Sequence, residues 1–176
     1  MTRAETTEIF AAFMLAYPHA EMFKAPGRQA LMDKLAPVIT LWAACLTDVD
    51  FWTGQQAAVR AIRAHKFPPT IAEFREQAER VRREAEDEAR AAYLTARSMI
   101  FALPYAAADE IMAHMPVRAK KTIDAMGGLE AFCPPDCDML DMEGFVATYG
   151  RLLRRNPVGL PGGGKLGLNC EGGGRG

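Results

Sequence analysis

The 176-residue sequence has little excess charge of either sign, little cysteine and no long apolar run. With 21 basic and 22 acidic residues the formal net charge is −1, which argues against a dedicated binder of duplex DNA. No uncharged apolar run reaches the roughly 18 residues that a membrane span needs, and the apolar segment of a signal peptide does not follow Met1. We therefore expect a cytoplasmic protein without membrane contact.

Cysteine and histidine are not arranged as a metal site or as a catalytic nucleophile. Four cysteines do not make a disulfide framework in a chain of this length. Cys133 and Cys137 are separated by three residues, and a second close pair of cysteines or histidines is missing, so we interpret them as reduced thiols in a turn. We interpret Cys45 as a small buried residue. The three histidines are far apart in the sequence: His19, His65 and His114.

One glycine-rich stretch has part of a nucleotide-binding pattern. Gly159, Gly164 and Lys165 have the spacing of the first part of a P-loop, in which backbone amides hold phosphates. Leu166 stands where a serine or threonine should bind magnesium, and no predicted strand precedes the stretch. We therefore predict no nucleotide, cofactor or metal, and a protein that is not an enzyme. Residues 159–176 contain nine glycines and are predicted to be a flexible tail.

Apolar residues recur at helical spacing along the rest of the chain, so we predict an all-α protein. Thr2 and Glu5 form a capping box that starts a first helix, which Pro18 ends. A second apolar stripe places Trp42 in the core. Pro37 either kinks this second helix or begins it.

A third helix is predicted from the cap Asp48 or Asp50 to about His65. Phe51 and Trp52 are adjacent, so they cannot both point inward from one face of this helix. One of them is therefore a candidate anchor for a partner, because exposed tryptophan is favoured at interface hot spots.

The stretch from Lys66 to Phe74 predicts a rigid elbow between two helices. Its two consecutive prolines end one helix. Thr70 and Glu73 form a capping box that starts the next. Phe67 and Phe74 are placed to act as a hydrophobic staple across the cap.

The helix that starts after the elbow is predicted to continue to Pro104. Its apolar stripe is Phe74, Ala78, Val81, Ala85, Ala89, Ala92, Ala96, Met99 and Leu103. Alanine buries little area, so we expect the middle of this helix to be a solvated connector rather than a self-associating coiled coil.

A second helical unit is predicted after the connector. Short helices are expected over 108–114 and 116–126, the latter ended by the glycine pair at 127 and 128. Residues 142–153 then form an amphipathic stripe, which either closes this unit or lies in a groove of a partner. The predicted organisation is an N-terminal four-helix bundle (1–80), a charged connector helix (81–103), a C-terminal helical unit (104–158) and the tail (159–176).

The order of motifs along about the first 80 residues is distinctive. It comprises Tyr17-Pro18, Trp42 with Leu46, Asp48-Val49-Asp50-Phe51-Trp52 and Phe67-Pro68-Pro69-Thr70-Ile71. This order and spacing resemble the phage replicative-helicase loader/inhibitor family, small proteins that bind a DnaB-type hexameric helicase. Met126-Gly127-Gly128-Leu129, followed by Phe145-Val146-Ala147-Thr148-Tyr149, resembles the carboxy-terminal half of longer phage replication proteins of the same kind.

The resemblance implies a phage or prophage DNA replication protein that binds the hexameric helicase, loads or restrains it, and hands it to origin DNA through an origin-binding protein. It implies weak or indirect contact with DNA, and it associates the helicase contact with the carboxy-terminal part of the chain. The candidate partner-binding residues are Trp52, Phe145, Tyr149, Arg151, Leu152, Arg154 and Arg155.

Two other classes of function stay open. A DNA-binding replication-initiation protein would contact phosphates through a basic patch. The residues of that patch are Arg118, Lys120, Lys121, Arg151, Arg154 and Arg155. A non-enzymatic phage structural adaptor or assembly chaperone would bind neither DNA nor helicase.

Overall fold

The computed structural model describes residues 1–102, 107–133 and 140–155, and the regular elements of these ranges are all helical. They are α1 (Arg3–Ala16), a 3-10 helix (Glu21–Phe23), α2 (Arg28–Cys45), α3 (Phe51–Ala64), α4 (Ile71–Ala102), α5 (Ala108–His114), α6 (Val117–Ala125), α7 (Leu129–Phe132) and α8 (Met142–Arg155). The all-α prediction is confirmed for the part of the chain that the structure describes.

Polar side chains start α1 and α3 as the sequence predicts. The Thr2 N–H donates to Glu5 Oε2 at 2.7 Å and the Glu5 N–H donates to Thr2 Oγ1 at 3.2 Å, which completes the capping box of α1. Of the two candidate caps of α3, Asp50 is the one used, since its carboxylate accepts the Thr53 N–H at 3.1 Å. A cap of this kind stabilises a helix by about 1 kcal/mol.

Pro37 lies inside α2, so the interpretation that a helix begins there is wrong. Proline removes one backbone hydrogen bond and makes a helix interior less stable by about 3 kcal/mol. The helix continues because it is anchored on both sides of the proline, by Leu35 before it and by Ile39 and Trp42 after it.

The chain forms two compact units, of which the first is Met1–Ala78 and the second begins at Glu79. The first unit contains α1, α2, α3 and the start of α4, together with the 3-10 helix, which was not predicted. Its core includes Ile9, Phe10, Phe13, Leu35, Ile39, Trp42, Leu46, Ala57, Ala58, Phe74 and Ala78. The core position of Trp42 is thereby confirmed, whereas Cys45 is half-buried rather than buried. The four-helix bundle topology and the predicted domain limits stay predictions.

The second unit buries a part of α4 that was expected to be solvated. Ala89 and Ala96 lie in its core together with Tyr93 and Ile100, which stand one position away from predicted stripe residues. The expectation that the middle of this helix is solvated is wrong, because Tyr93 and Ile100 supply the apolar area that alanine lacks. The later helices contribute Ile111, Met112, Met115, Ala119, Ile123, Phe132, Leu140, Phe145 and Tyr149 to the same core.

The glycine pair ends α6 as predicted. Gly127 and Gly128 have φ angles of 107° and 89°, a region that favours glycine. The Gly128 N–H donates to the Ile123 carbonyl at 2.9 Å and the Gly127 N–H donates to the Asp124 carbonyl at 3.2 Å, which is a Schellman motif. The next helix, α7, was not predicted and brings Phe132 into the core.

The observed bounds of α5 and α8 agree with the predicted helices of residues 108–114 and 142–153. The predictions on Pro104, Cys137, Cys170 and residues 159–176 lie outside the described residues. Within the described ranges, no helix is long and apolar enough to cross a membrane.

Candidate functional site

The aromatic residues around the elbow form the centre of the first core. The Trp42 ring lies 5.1 Å from that of Phe10 and 5.4 Å from that of Phe74, both in edge-on geometry. Phe13 lies 6.2 Å from Phe74 at an interplanar angle of 87°. Such pairs stabilise a core by about 0.5–1.5 kcal/mol beyond their buried area. Trp42 is therefore a core residue of the first unit, and its side chain is not available to a partner.

Tyr17 connects the end of α1 to the residues before the elbow. Its hydroxyl lies 3.4 Å from the Ala61 carbonyl and 3.3 Å from the His65 carbonyl, and donates weakly to these two acceptors at the end of α3. Burial raises the pKa of the Tyr17 hydroxyl, so it remains a protonated donor to higher pH than an exposed tyrosine does.

Arg75 fixes the other side of the elbow. Its Nη1 and Nη2 donate to the two carboxylate oxygens of Asp48 at 2.9 and 2.8 Å, and Nη1 also reaches the Cys45 carbonyl at the end of α2. The hydrogen bonds from Arg75 lower the pKa of the Asp48 carboxyl. Asp48 does not cap α3. Through Arg75 it connects the loop after α2 to the first turn of α4.

The capping box of the elbow is present, but the predicted staple is wrong. The Thr70 N–H donates to Glu73 Oε2 at 2.7 Å, and the Glu73 N–H donates to Thr70 Oγ1 at 3.3 Å. Phe74 is buried, whereas Phe67 is 76% exposed, so the two rings do not form a clamp. The residue directly before the cap is Pro69, and it is Pro69 that is buried.

Phe67 is the feature that sequence reasoning missed. Its position before Pro68 was a usable signal, because a residue before proline is held in extended conformation and cannot continue a helical face. Two exposed basic residues, Arg63 and Lys66, precede it in the sequence. Neither cation has an ion-pair partner among the described residues. The elbow therefore presents an exposed aromatic ring, and two exposed basic residues precede it within four positions of the sequence.

The structure separates the predicted partner-binding residues into buried and exposed ones. Phe145 and Tyr149 are 0% and 4% exposed in the second core, so in this conformation a partner cannot reach their side chains. Leu152 is half-buried in the last part of α8. The remaining members on α8 are exposed arginines, Arg151, Arg154 and Arg155, and Arg151 Nη2 donates to Thr148 Oγ1 at 3.1 Å.

The first unit contains the one remaining candidate. Trp52 is half-buried on α3, and its neighbour Phe51 packs against the first core. This arrangement agrees with the expectation that the two adjacent aromatic residues point in different directions.

Tyr149 has an internal partner. Its hydroxyl donates to Glu88 Oε1 at 2.8 Å, and Arg118 Nη1 donates to the same oxygen at 2.5 Å. Burial is the main cause that raises the pKa of Tyr149. One carboxylate on α4 thus binds side chains of both α6 and α8, and Tyr149 is part of the packed core of the second unit.

The basic patch considered for DNA lies on two helices that pack together, α6 and α8. Lys120 and Lys121 are exposed on α6, as are Arg154 and Arg155 on α8. Arg118, the first residue of the patch, pairs with Glu88. Within the described ranges, no group of three or more His, Cys, Asp or Glu side chains is placed to hold a metal ion.

The first part of the chain matches a known protein family. Residues 1–75 match the family model for the N-terminal domain of the gene 39 protein, which represents a phage helicase loader/inhibitor family. The resemblance stated from the sequence is confirmed over these residues, which end one position past the elbow core residue Phe74. The second resemblance, in the carboxy-terminal half, stays a prediction. No curated protein and no solved structure matches the chain.

Proposed function

We propose that this chain is a phage or prophage DNA replication protein that binds a DnaB-type hexameric replicative helicase and loads or restrains it. The observation that carries the proposal is the match of residues 1–75 to the helicase loader/inhibitor family. The packing of Trp42 and Phe74 and the hydrogen bonds of Tyr17 around the elbow support it, since the residues that carry the resemblance build the fold of this unit. Because the proposed partner is a cytoplasmic enzyme, the proposed location is the cytoplasm.

The proposed mechanism uses binding energy alone. A protein that binds one conformational state of a ring more tightly than another shifts the ring toward that state, to the extent of the difference in affinity. It dissociates when nucleotide or DNA favours the other state. The proposal therefore assigns the chain no catalytic step and no cofactor, and adds an origin-binding protein as a further partner.

The carboxy-terminal contact is proposed on the exposed end of α8. Arg151, Arg154 and Arg155 are accessible there, next to the half-buried Leu152. Contact through Phe145 or Tyr149 would require α8 to leave its core, and exposing one such ring costs about 1.5–3 kcal/mol. We therefore assign the partner contact of α8 to its arginines and keep Trp52 as a candidate in the first unit.

The test is complex formation between the purified protein and its host's replicative helicase, with and without ATP. Size-exclusion chromatography with light scattering should show a stable complex, and the ATPase or unwinding rate of the helicase should change. No interaction at micromolar concentrations in either condition would refute the proposal for that helicase.

Charge reversal is a sharper test of the α8 contact than truncation. Removing residues 138–176 would also remove Phe145 and Tyr149 from the second core. Arg154→Glu with Arg155→Glu leaves that core intact and should weaken the complex. The matched control is Lys120→Glu with Lys121→Glu on α6, which should bind as the wild type does.

A second candidate function is DNA binding, favoured by the packing of α6 against α8. This packing brings exposed basic residues onto neighbouring helices. The formal net charge of −1 limits the expected affinity. DNA binding whose affinity falls steeply with salt, and is lost in both pairs of charge-reversal variants, would favour this candidate.

A further inference from the structure

The second core leaves the proposed helicase contact on α8 without an aromatic anchor. A few aromatic or arginine residues carry most of the energy of a protein interface. Phe145 and Tyr149 are buried in the second unit, as is Trp42 in the first. Among the described residues, Phe67 is the most exposed of the large apolar side chains. Phe67, in the elbow, is therefore an aromatic anchor that a partner can reach without any unfolding of this chain.

The elbow holds Phe67 in place before any partner arrives. Pro68 restricts the backbone of Phe67 to extended conformations, and Pro69 is buried directly before the cap. The capping box of Thr70 and the bond from Tyr17 to the His65 carbonyl hold both sides of the loop. A side chain on a rigid backbone loses less conformational entropy on binding, which favours affinity.

The charge around Phe67 specifies the partner's chemistry. Arg63 stands in the last turn of α3 and Lys66 is adjacent to Phe67. Neither has an internal carboxylate partner in the described part of the chain. Carboxylates on a partner would complement these two cations and would also exclude partners with a basic surface.

We infer that Phe67, together with Arg63 and Lys66 before it, is a docking point of the first unit for the replicative helicase. The phenyl ring enters an apolar depression on the helicase, and the two cations meet carboxylates at its edge. The inference rests on the proposed function, and it adds a contact in the first unit to the one proposed on α8.

The experiment measures the dissociation constant of the full-length protein for its host's helicase by fluorescence anisotropy at two salt concentrations. Phe67→Ala should raise the constant at least about tenfold. Lys66→Glu should also raise it and should reduce its dependence on salt. Leu41→Ala is the matched control, because Leu41 is 57% exposed on α2, and it should bind as the wild type does. Circular dichroism should show the same helical content for all four proteins.

The outcomes separate the two proposals. If the wild type binds and both elbow variants bind equally well, the inference is wrong and the proposed function stands. If the wild type does not bind, the proposed function fails and the inference fails with it. If light scattering shows a dimer of this protein that Phe67→Ala abolishes while helicase binding is unchanged, the occupant is a second copy of the chain and the assignment to the helicase is overturned.

Discussion

Phe74 is expected to be the side chain whose truncation most damages the first unit. It is fully buried, and its ring lies 5.4 Å from Trp42 and 6.2 Å from Phe13. Truncation of a buried phenylalanine to alanine costs about 3–5 kcal/mol, because transfer energy is lost and a cavity remains. Phe74→Leu keeps most of the apolar area and loses the ring pairs, so we expect a loss of about 1–2 kcal/mol.

These losses are large relative to the stability of the unit. Met1–Ala78 is 78 residues long, and at about 0.05–0.15 kcal/mol per residue its free energy of unfolding is about 4–12 kcal/mol. Phe74→Ala therefore removes a large share of it, whereas Phe74→Leu should stay folded. Urea denaturation followed by tryptophan fluorescence measures this unit specifically, because both tryptophans, Trp42 and Trp52, lie in it.

Phe67→Ala is the matched control, since the same truncation is made at the other end of the elbow on an exposed side chain. Its effect on the free energy of unfolding should stay within about 0.5 kcal/mol. A loss below about 1 kcal/mol for Phe74→Ala, or equal losses for the two variants, would show that the described core of this unit is incorrect.

Substitutions at three further positions test single contacts. Thr70→Ala should cost about 1 kcal/mol through loss of the cap, and Thr70→Pro should cost more because it also removes the N–H that donates to Glu73, as urea denaturation will measure. Tyr149→Phe should cost about 1 kcal/mol through loss of its hydrogen bond. The folded-state pKa of Tyr149 is raised above 10.0, so the stability that its hydroxyl contributes is complete below pH 10 and is lost at higher pH. Thermal melts of the variant should therefore be less sensitive to alkali than those of the wild type. The pKa of Asp48 is lowered in the folded state, so its pair with Arg75 contributes stability above pH 3.8. This stability is lost as the pH falls through the folded-state pKa. Asp48→Asn should therefore make the free energy of unfolding less dependent on pH on the acid side.

Local hydrogen bonding made the helix boundaries predictable. The capping boxes of Thr2 and Thr70 and the glycine pair after α6 each act within a few residues, so the sequence pattern is sufficient. The choice of Asp50 over Asp48 was not predictable in this way. Both residues have a carboxylate before α3, and the difference arises because Asp48 binds Arg75, which lies 27 residues further along the chain.

The helical class, most helix limits and the resemblance over the first unit were predictable from the sequence, because they depend on backbone geometry and on the spacing of apolar residues. Which apolar side chains are covered became clear only from the packing of the helices. Phe67 and Phe74 look equivalent as a staple, yet one is exposed and the other buried. Phe145 and Tyr149 were candidate contacts for a partner, and they are instead covered within the second unit. Burial depends on which distant helices cover a face, and that information is absent from the periodicity of one helix.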